Sequence, residues 1–339
     1  MKANYIAGIA SLLLGLLPLR TAAQVPPRMV VLESEAREGY TCSLVEYNTT
    51  TLERVQAYLL TPDAEGSSPA LVLLHDHGAR FDIGKEKLVR PLPGAPEHIK
   101  ASAAQWVADG FDGVYFADRL AAAGYVVLVP DALYWGSRSS EKAQQWSRIR
   151  FGEEQGDERS LKKEVYEGQR AVYDSLQRKG IVWAEQTLVE DADAARLLAS
   201  LPDVDPERIG CFGWSMGAHR AWLLAAFCDK VKSGAALCWM TLKAAQKPEL
   251  SPSDYSMLIP ALRDRFDFPD IARFLSPKPF LFLSGRSDRL FPEQAVEEAF
   301  RRMQEIYAGG PLETEFFDGG HHCGIDEQAR ILRFFEENL

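Results

Sequence analysis

The chain has 339 residues, 46% hydrophobic and 25% charged, which excludes a disordered chain, a collagen-like repeat and a small disulfide scaffold. It is long enough to bury a core without covalent staples. With 48 acidic residues against 38 Lys and Arg, the formal charge is −10, and an acidic balance argues against nucleic acid as the partner.

The chain opens on Lys2, an apolar run from Tyr5 to Leu19, then Arg20, Thr21, Ala22 and Ala23. A short basic segment, an apolar stretch and small residues form an export signal, with cleavage expected after Ala23. The run is shorter than the about 20 apolar residues that a membrane span needs. No later segment reaches that length, so the expectation is an exported protein, periplasmic or extracellular, with no stable membrane span.

Residues 24–339 read as one α/β domain. Between Arg28 and Pro62, Met29–Leu32 and Val55–Leu60 read as strands joined by short polar turns, the pattern of antiparallel pairs. Beyond Pro69 the texture changes. Apolar runs recur at Ala70–Leu74, Tyr125–Val129, Arg208–Trp214, Gly234–Trp239, Pro279–Leu283 and Thr314–Phe317. Short continuous apolar runs mark strands covered on both faces, as in a parallel sheet. Helical segments fall between them at Phe116–Ala123, Leu188–Leu201, Met216–Asp229, Glu293–Ala308 and Asp326–Asn338. The predicted fold is a mostly parallel twisted sheet with helices on both faces and an antiparallel N-terminal strand region. Active sites in such sheets lie at the carboxyl ends of the strands. The polar stretch Asp131–Gln186, which carries Trp135, Trp146 and Trp183, reads as an insertion above those ends. It is either a substrate wall or a solvated excursion.

Three separated pieces carry the chemistry. The first is Gly213-Trp214-Ser215-Met216-Gly217, placed between a strand and a helix. The glycines permit a sharp turn that aims the Ser215 hydroxyl outward and leaves the Met216 N–H at a helix amino end, where it can face an oxyanion. Serine needs a base, and the base needs an orienter. Asp288 lies just past one strand, and the Gly319-Gly320-His321-His322 loop follows the last. The order Ser, Asp, His, each beyond its own strand, suits convergence on one catalytic triad. His321, directly after the glycine pair, is the preferred base over His322, because adjacent side chains on an extended loop point apart. Asp318 and Asp326 are too near the histidines to come from another strand. Trp214 and His322 are further pocket candidates.

The third piece is His75-Asp76-His77-Gly78-Ala79-Arg80, after the first long buried strand. A loop here supplies a second oxyanion N–H, expected from Ala79, with Arg80 the alternative. His77 and Arg80 are also pocket candidates. His75 and His77 at i, i+2 would suit a metal pair, but no partner set of recognisable spacing accompanies them, so no metal or other cofactor is expected. Lys85, Glu86, Lys87 and Arg90 read as a solvated charged face, or as groups that hold an anionic or hydroxylated substrate. Five cysteines, Cys42, Cys211, Cys228, Cys238 and Cys323, leave at least one unpaired; Cys211 and Cys238 read as small core residues.

Together these strings resemble the α/β-hydrolase superfamily, and within it the dienelactone-hydrolase-like and bacterial acetyl xylan esterase-like branch. Leu74–Ala79, Gly84–Lys87, Gly213–Ala218, Ile259–Leu262, Pro269–Ala272, Pro277–Pro279 and Asp288–Pro292 carry the likeness over about residues 30–339. The resemblance implies a cofactor-free serine esterase with Ser215, Asp288 and His321 as triad and Ala79 and Met216 as oxyanion donors. Dienelactone hydrolases proper use a cysteine nucleophile; Ser215 here favours ordinary carboxylic esters. The expected substrate is a small-molecule or oligosaccharide ester, with acetyl esters of carbohydrates preferred. A serine peptidase, a lactonase and a catalytically silent carbohydrate-binding protein are the alternatives.

Overall fold

The computed structural model describes residues 27–246 and 249–339, so the expected leader 1–23 and its cleavage site lie outside the described residues. A nine-stranded sheet runs through the molecule in the order β1-β2-β3-β5-β4-β6-β7-β8-β9. The strands are β1 (Met29–Arg37), β2 (Tyr40–Asn48), β3 (Arg54–Pro62), β4 (Ser68–Leu74), β5 (Val126–Pro130), β6 (Val204–Trp214), β7 (Ser233–Leu237), β8 (Phe280–Gly285) and β9 (Leu312–Phe317). β1, β2 and β3 pair antiparallel, and β3 joins β5 antiparallel; the other pairings are parallel.

β2 is a strand that the apolar runs do not reveal. It carries Thr41, Ser43 and Glu46, and its buried residues change face midway, Tyr40 and Cys42 packing on one side of the sheet and Val45 and Tyr47 on the other. Of the parallel strands, β4, β5, β7 and β8 are short, almost fully buried runs because helices cover both faces, whereas β9 at the sheet edge is half-buried and carries Glu313 and Glu315. On one face pack α5 (Trp183–Ser200), α6 (Met216–Phe227) and α7 (Glu293–Tyr307); on the other, α1 (Glu97–Gly110), α2 (Phe116–Ala122) and α8 (Ile325–Asn338).

The chain leaves β4 towards β5 by way of α1 and α2 on one face. It leaves β6 towards β7 by way of α6 on the other. β4 and β6 are neighbours, so their connections diverge and open a crevice at their carboxyl ends. Residues 131–186 stand above this crevice. They form two helices packed on each other, α3 (Glu141–Arg150) and α4 (Glu158–Arg178), and the start of α5. Their apolar faces build a small core of Phe81, Tyr134, Trp135, Val165, Trp183 and Tyr255 on top of the sheet. No helix among the described residues is long and apolar enough to cross a membrane. All five cysteines are buried and free.

Candidate active site

The turn between β6 and α6 is built from backbone packed on backbone. Ser215 has φ 56° and ψ −123°, a left-handed conformation that is strained for a residue with a Cβ. A Cβ on Gly213 would lie 1.9 Å from the Gly217 carbonyl oxygen, and one on Gly217 would lie 1.8 Å from the Leu74 carbonyl oxygen. Only glycine permits strand, turn and helix to pass this closely. The Ser215 N–H donates to the Leu237 carbonyl at 2.9 Å, and the Ser215 carbonyl accepts from Ala218 at 2.8 Å. Met216 is the first residue of α6, so its N–H has no acceptor within the helix.

His321 and Asp288 approach from the loops after β9 and β8. Nδ1 of His321 lies 2.7 Å from Asp288 Oδ2, while Asp288 Oδ1 accepts the Leu290 N–H at 2.8 Å. Asp288 is buried, so this hydrogen bond is shielded from solvent at its carboxylate end. The imidazole sits between two rings, Trp214 at 5.3 Å and Phe291 at 6.1 Å centroid distance. Gly285 lets the His321 loop fold back over β8, since a Cβ there would meet the Gly320 carbonyl oxygen at 2.3 Å.

A cavity of about 470 Å³ joins these pieces. Ser215 and His321 line it with Asp76, His77, Gly78 and Ala79 of the loop after β4. Its walls are the rings of Trp106, Tyr166 and Trp214, with Pro252, Ser253 and Leu290 at the rim. Of the pocket candidates, His77 and Trp214 line this cavity. His322 does not: its Nε2 pairs with Asp112 at 2.9 Å, because the adjacent side chains diverge. Arg80 is also absent from the lining. Its guanidinium turns to the Asp82 carboxylate at 3.2 Å and lies over Trp146 at 5.1 Å. Asp318 is exposed beside Arg286. The sequence signals that could have found Trp106 and Tyr166 are weak, for each is an isolated aromatic on a helix with no motif around it.

The loop after β4 is held by side chains. His75 uses Nδ1 towards the Asp76 carbonyl at 2.9 Å and accepts the Ala132 N–H at Nε2 at 3.1 Å. Burial pushes the His77 imidazole down to about 3, so it is neutral; its Nδ1 accepts the Ala79 N–H at 3.1 Å. Both rings are thus engaged with the loop backbone rather than set out as a metal pair.

Lys85, Glu86 and Lys87, expected on a solvated face or on substrate, are instead buried. Lys85 pairs with Asp131 and Glu86, each at 2.8 Å. Lys87 Nζ donates to the Asp76 carbonyl at 2.8 Å and the His77 carbonyl at 3.0 Å, and meets Asp76 Oδ2 at 3.4 Å. The cause is geometric: the chain after β4 dives beneath the 131–138 turn, and buried charges must be paired where water is excluded. Burial pushes the Lys87 amine down and the Asp76 carboxyl up, each opposed by the other's charge. Only Arg90 of the four is exposed.

With this geometry in place, comparison with known proteins is informative. The dienelactone hydrolase family matches residues 108–331. The chain belongs to that family. YtaP of Bacillus subtilis (strain 168), named as a hydrolase, is 28% identical over 300 residues, covering 88% of this chain and 85% of its own. A Bacteroides fragilis NCTC 9343 protein assigned as an acetyl xylan esterase shares the fold with TM-score 0.67 at 16% identity, over 93% of this chain and 75% of that one. Acetyl Xylan Esterase 1 from Thermoanaerobacterium sp. JW/SL YS485 has TM-score 0.57 at 17% identity, over 98% of this chain and 93% of that one. A glucuronoyl esterase from Solibacter usitatus has TM-score 0.60 at 12% identity, over 94% and 87%. The dienelactone hydrolase family match begins after the His75–Arg80 loop, so that loop rests on its own geometry.

Proposed function

We propose that this member of the dienelactone hydrolase family is an exported serine esterase that cleaves short-chain, mainly acetyl, esters of carbohydrates. The observation that carries the reading is the His321–Asp288 pair at 2.7 Å, with His321 on the same cavity as Ser215. In this reading His321 takes the Ser215 proton as Oγ attacks the ester carbonyl, and Asp288 holds the imidazole in the tautomer that can accept it. The N–H of Met216 receives the developing oxyanion, joined by that of Ala79 as it exchanges its His77 Nδ1 acceptor for the new charge; losing one such donor lowers turnover 10²–10³-fold. The alcohol leaves with the proton from His321. Water then attacks the acyl-enzyme with the same base and frees the acid.

Two half-buried rings of the cavity wall, Trp106 and Tyr166, offer stacking surface for a sugar, and the fold neighbours named as esterases point the same way. Residues 131–186 are read as an insertion in a single hydrolase domain, one that contributes Tyr166 to the substrate wall. The leader sequence supports export.

The test is hydrolysis of p-nitrophenyl acetate, butyrate and octanoate by the wild-type chain and Ser215→Ala, with fluorophosphonate labelling. Turnover is expected to fall with acyl length and to drop more than about 10³-fold in the variant. Ser215→Ala with wild-type turnover would overturn the mechanism. Labelling of Ser215 without ester hydrolysis would move the substrate to lactones or peptides.

A further inference from the structure

Ala79 has φ +54°, a left-handed conformation that a non-glycine residue holds only when its surroundings impose it. Both of its backbone polar groups are engaged by side chains. Its N–H donates to His77 Nδ1 at 3.1 Å, and its carbonyl accepts from Nζ of Lys162 on α4. Two turns further along α4, the Gln169 amide lies against the His77 ring, 3.2 Å from Nε2, and donates to the Pro252 carbonyl at 3.1 Å. Gln169 is fully buried, and Lys162 lies over the Trp146 ring at 3.9 Å. One helix, remote in sequence, therefore touches both ends of the 77–79 turn.

We propose that α4 is the clamp of the oxyanion loop and that Lys162 is its positioning residue, fixing the 79–80 peptide through the Ala79 carbonyl. This rests on Ala79 supplying an oxyanion N–H, as read above. A cation on the carbonyl holds Ala79 in its strained conformation beside the cavity, where its N–H, resting on His77 Nδ1, can exchange that acceptor for the oxyanion. Positional error of this kind is expensive in rate, because preorganised donors act only where the charge develops.

The grip has a pH signature. Burial lowers the Lys162 amine to about 8; Arg80 and Lys87 push the same way, while Asp82 and Glu158 oppose them. The charged amine clamps the carbonyl below that pH, and the clamp weakens as pH rises through it.

The experiment compares wild type, Lys162→Met, Lys162→Arg and Gln169→Leu in the full chain. Turnover of p-nitrophenyl acetate is followed from pH 6 to 10, together with hydrogen exchange of the 76–82 segment. Lys162→Met is expected to lower kcat about tenfold, less than the 10²–10³ for outright loss of a donor, with KM within about twofold. It should also lose the wild-type fall in kcat above pH 8. Lys162→Arg, charged throughout this range, should recover turnover and carry it past pH 9. Exchange of residues 76–82 should quicken in Lys162→Met and Gln169→Leu. Should Lys162→Met not fold, Lys162→Gln carries the same comparison. Folded Lys162→Met with unchanged kcat and unchanged exchange overturns the clamp, as does a rise in KM alone. If Ser215→Ala keeps its turnover, the esterase reading fails, and the exchange data still decide whether α4 holds the loop.

Discussion

The two halves of the crevice are immobilised by different means. At the Ser215 turn, backbone presses on backbone: glycines at 213 and 217 admit carbonyl groups to within what a Cβ would occupy. Across the crevice, the 75–87 segment is held by buried side chains, with Lys87, Lys162 and Trp135 all bonded to loop carbonyls. The first solution sets two glycines of one short turn against each other and against the Leu74 carbonyl of the neighbouring strand. The second recruits side chains from 131 to 169, and it places charges where they must stay paired. The Ser215 turn is thus set by backbone sterics and its opposite wall by long-range polar contacts.

This contrast can be broken most severely at Gly217. Gly217→Ala forces a methyl group into the Leu74 carbonyl, and neither partner is a flexible side chain. We expect a loss of about 3 kcal/mol or more in stability and no serine labelling, measured by thermal unfolding and fluorophosphonate reaction. A stable, labelled variant would mean that the turn is less tightly packed than its backbone distances imply.

The polar half is tested at Lys87. Lys87→Met removes the cation and strands a buried Asp76, for an expected loss of about 3–5 kcal/mol in chemical denaturation. Adding Asp76→Asn should return part of it, since the stranded charge is then gone. If the double variant is no better than the single one, the penalty comes from the lost contacts to the carbonyls of residues 76 and 77 rather than from the charge.

A graded, pH-dependent difference separates His219, on α6 one turn beyond Ser215, from the hydrogen-bonded His77. Burial lowers His219 to about 3, and its ring contacts are Trp222 at 4.4 Å and Trp239 at 4.6 Å. The folded state refuses a proton that the unfolded chain binds below about 6.5. Stability from His219 is therefore complete above that value and lost as pH falls towards 3. The slope is about 1.4 kcal/mol per pH unit for one such group. His219→Phe should flatten the acid limb of the stability curve by that amount; an unchanged limb would show that other groups govern acid unfolding.

Much of the site was readable before any coordinates. Strand, Gly213-x-Ser215-x-Gly217 and helix stand next to one another, so the steric demand of the turn is written in five consecutive residues. Asp288 and His321 follow apolar runs that end where loops begin, and a parallel sheet brings such ends to one side. The choice between His321 and His322 rested on adjacent side chains diverging, and the structure sends His322 to Asp112. The 85–87 charges lie elsewhere than the local string suggests, because charged residues in a loop are usually solvated and nothing near them in sequence shows that the 131–138 turn will lie over them. Arg80, a pocket candidate, is drawn away from the cavity by Asp82 and the Trp146 ring.

The sequence alone therefore determined the alternation of strands and helices, the glycine-flanked Ser215 turn and the order of the catalytic candidates, because each is read from residues close together in the chain. Tertiary structure decided what local strings cannot express: that β2 completes the antiparallel edge, that Trp106 and Tyr166 wall the cavity, and that Lys87 and Lys162 bond the carbonyls of the 76–79 loop. A buried charge or a lone aromatic acquires its role from partners tens of residues away, and only the packed sheet and its overlying helices bring those partners within bonding distance.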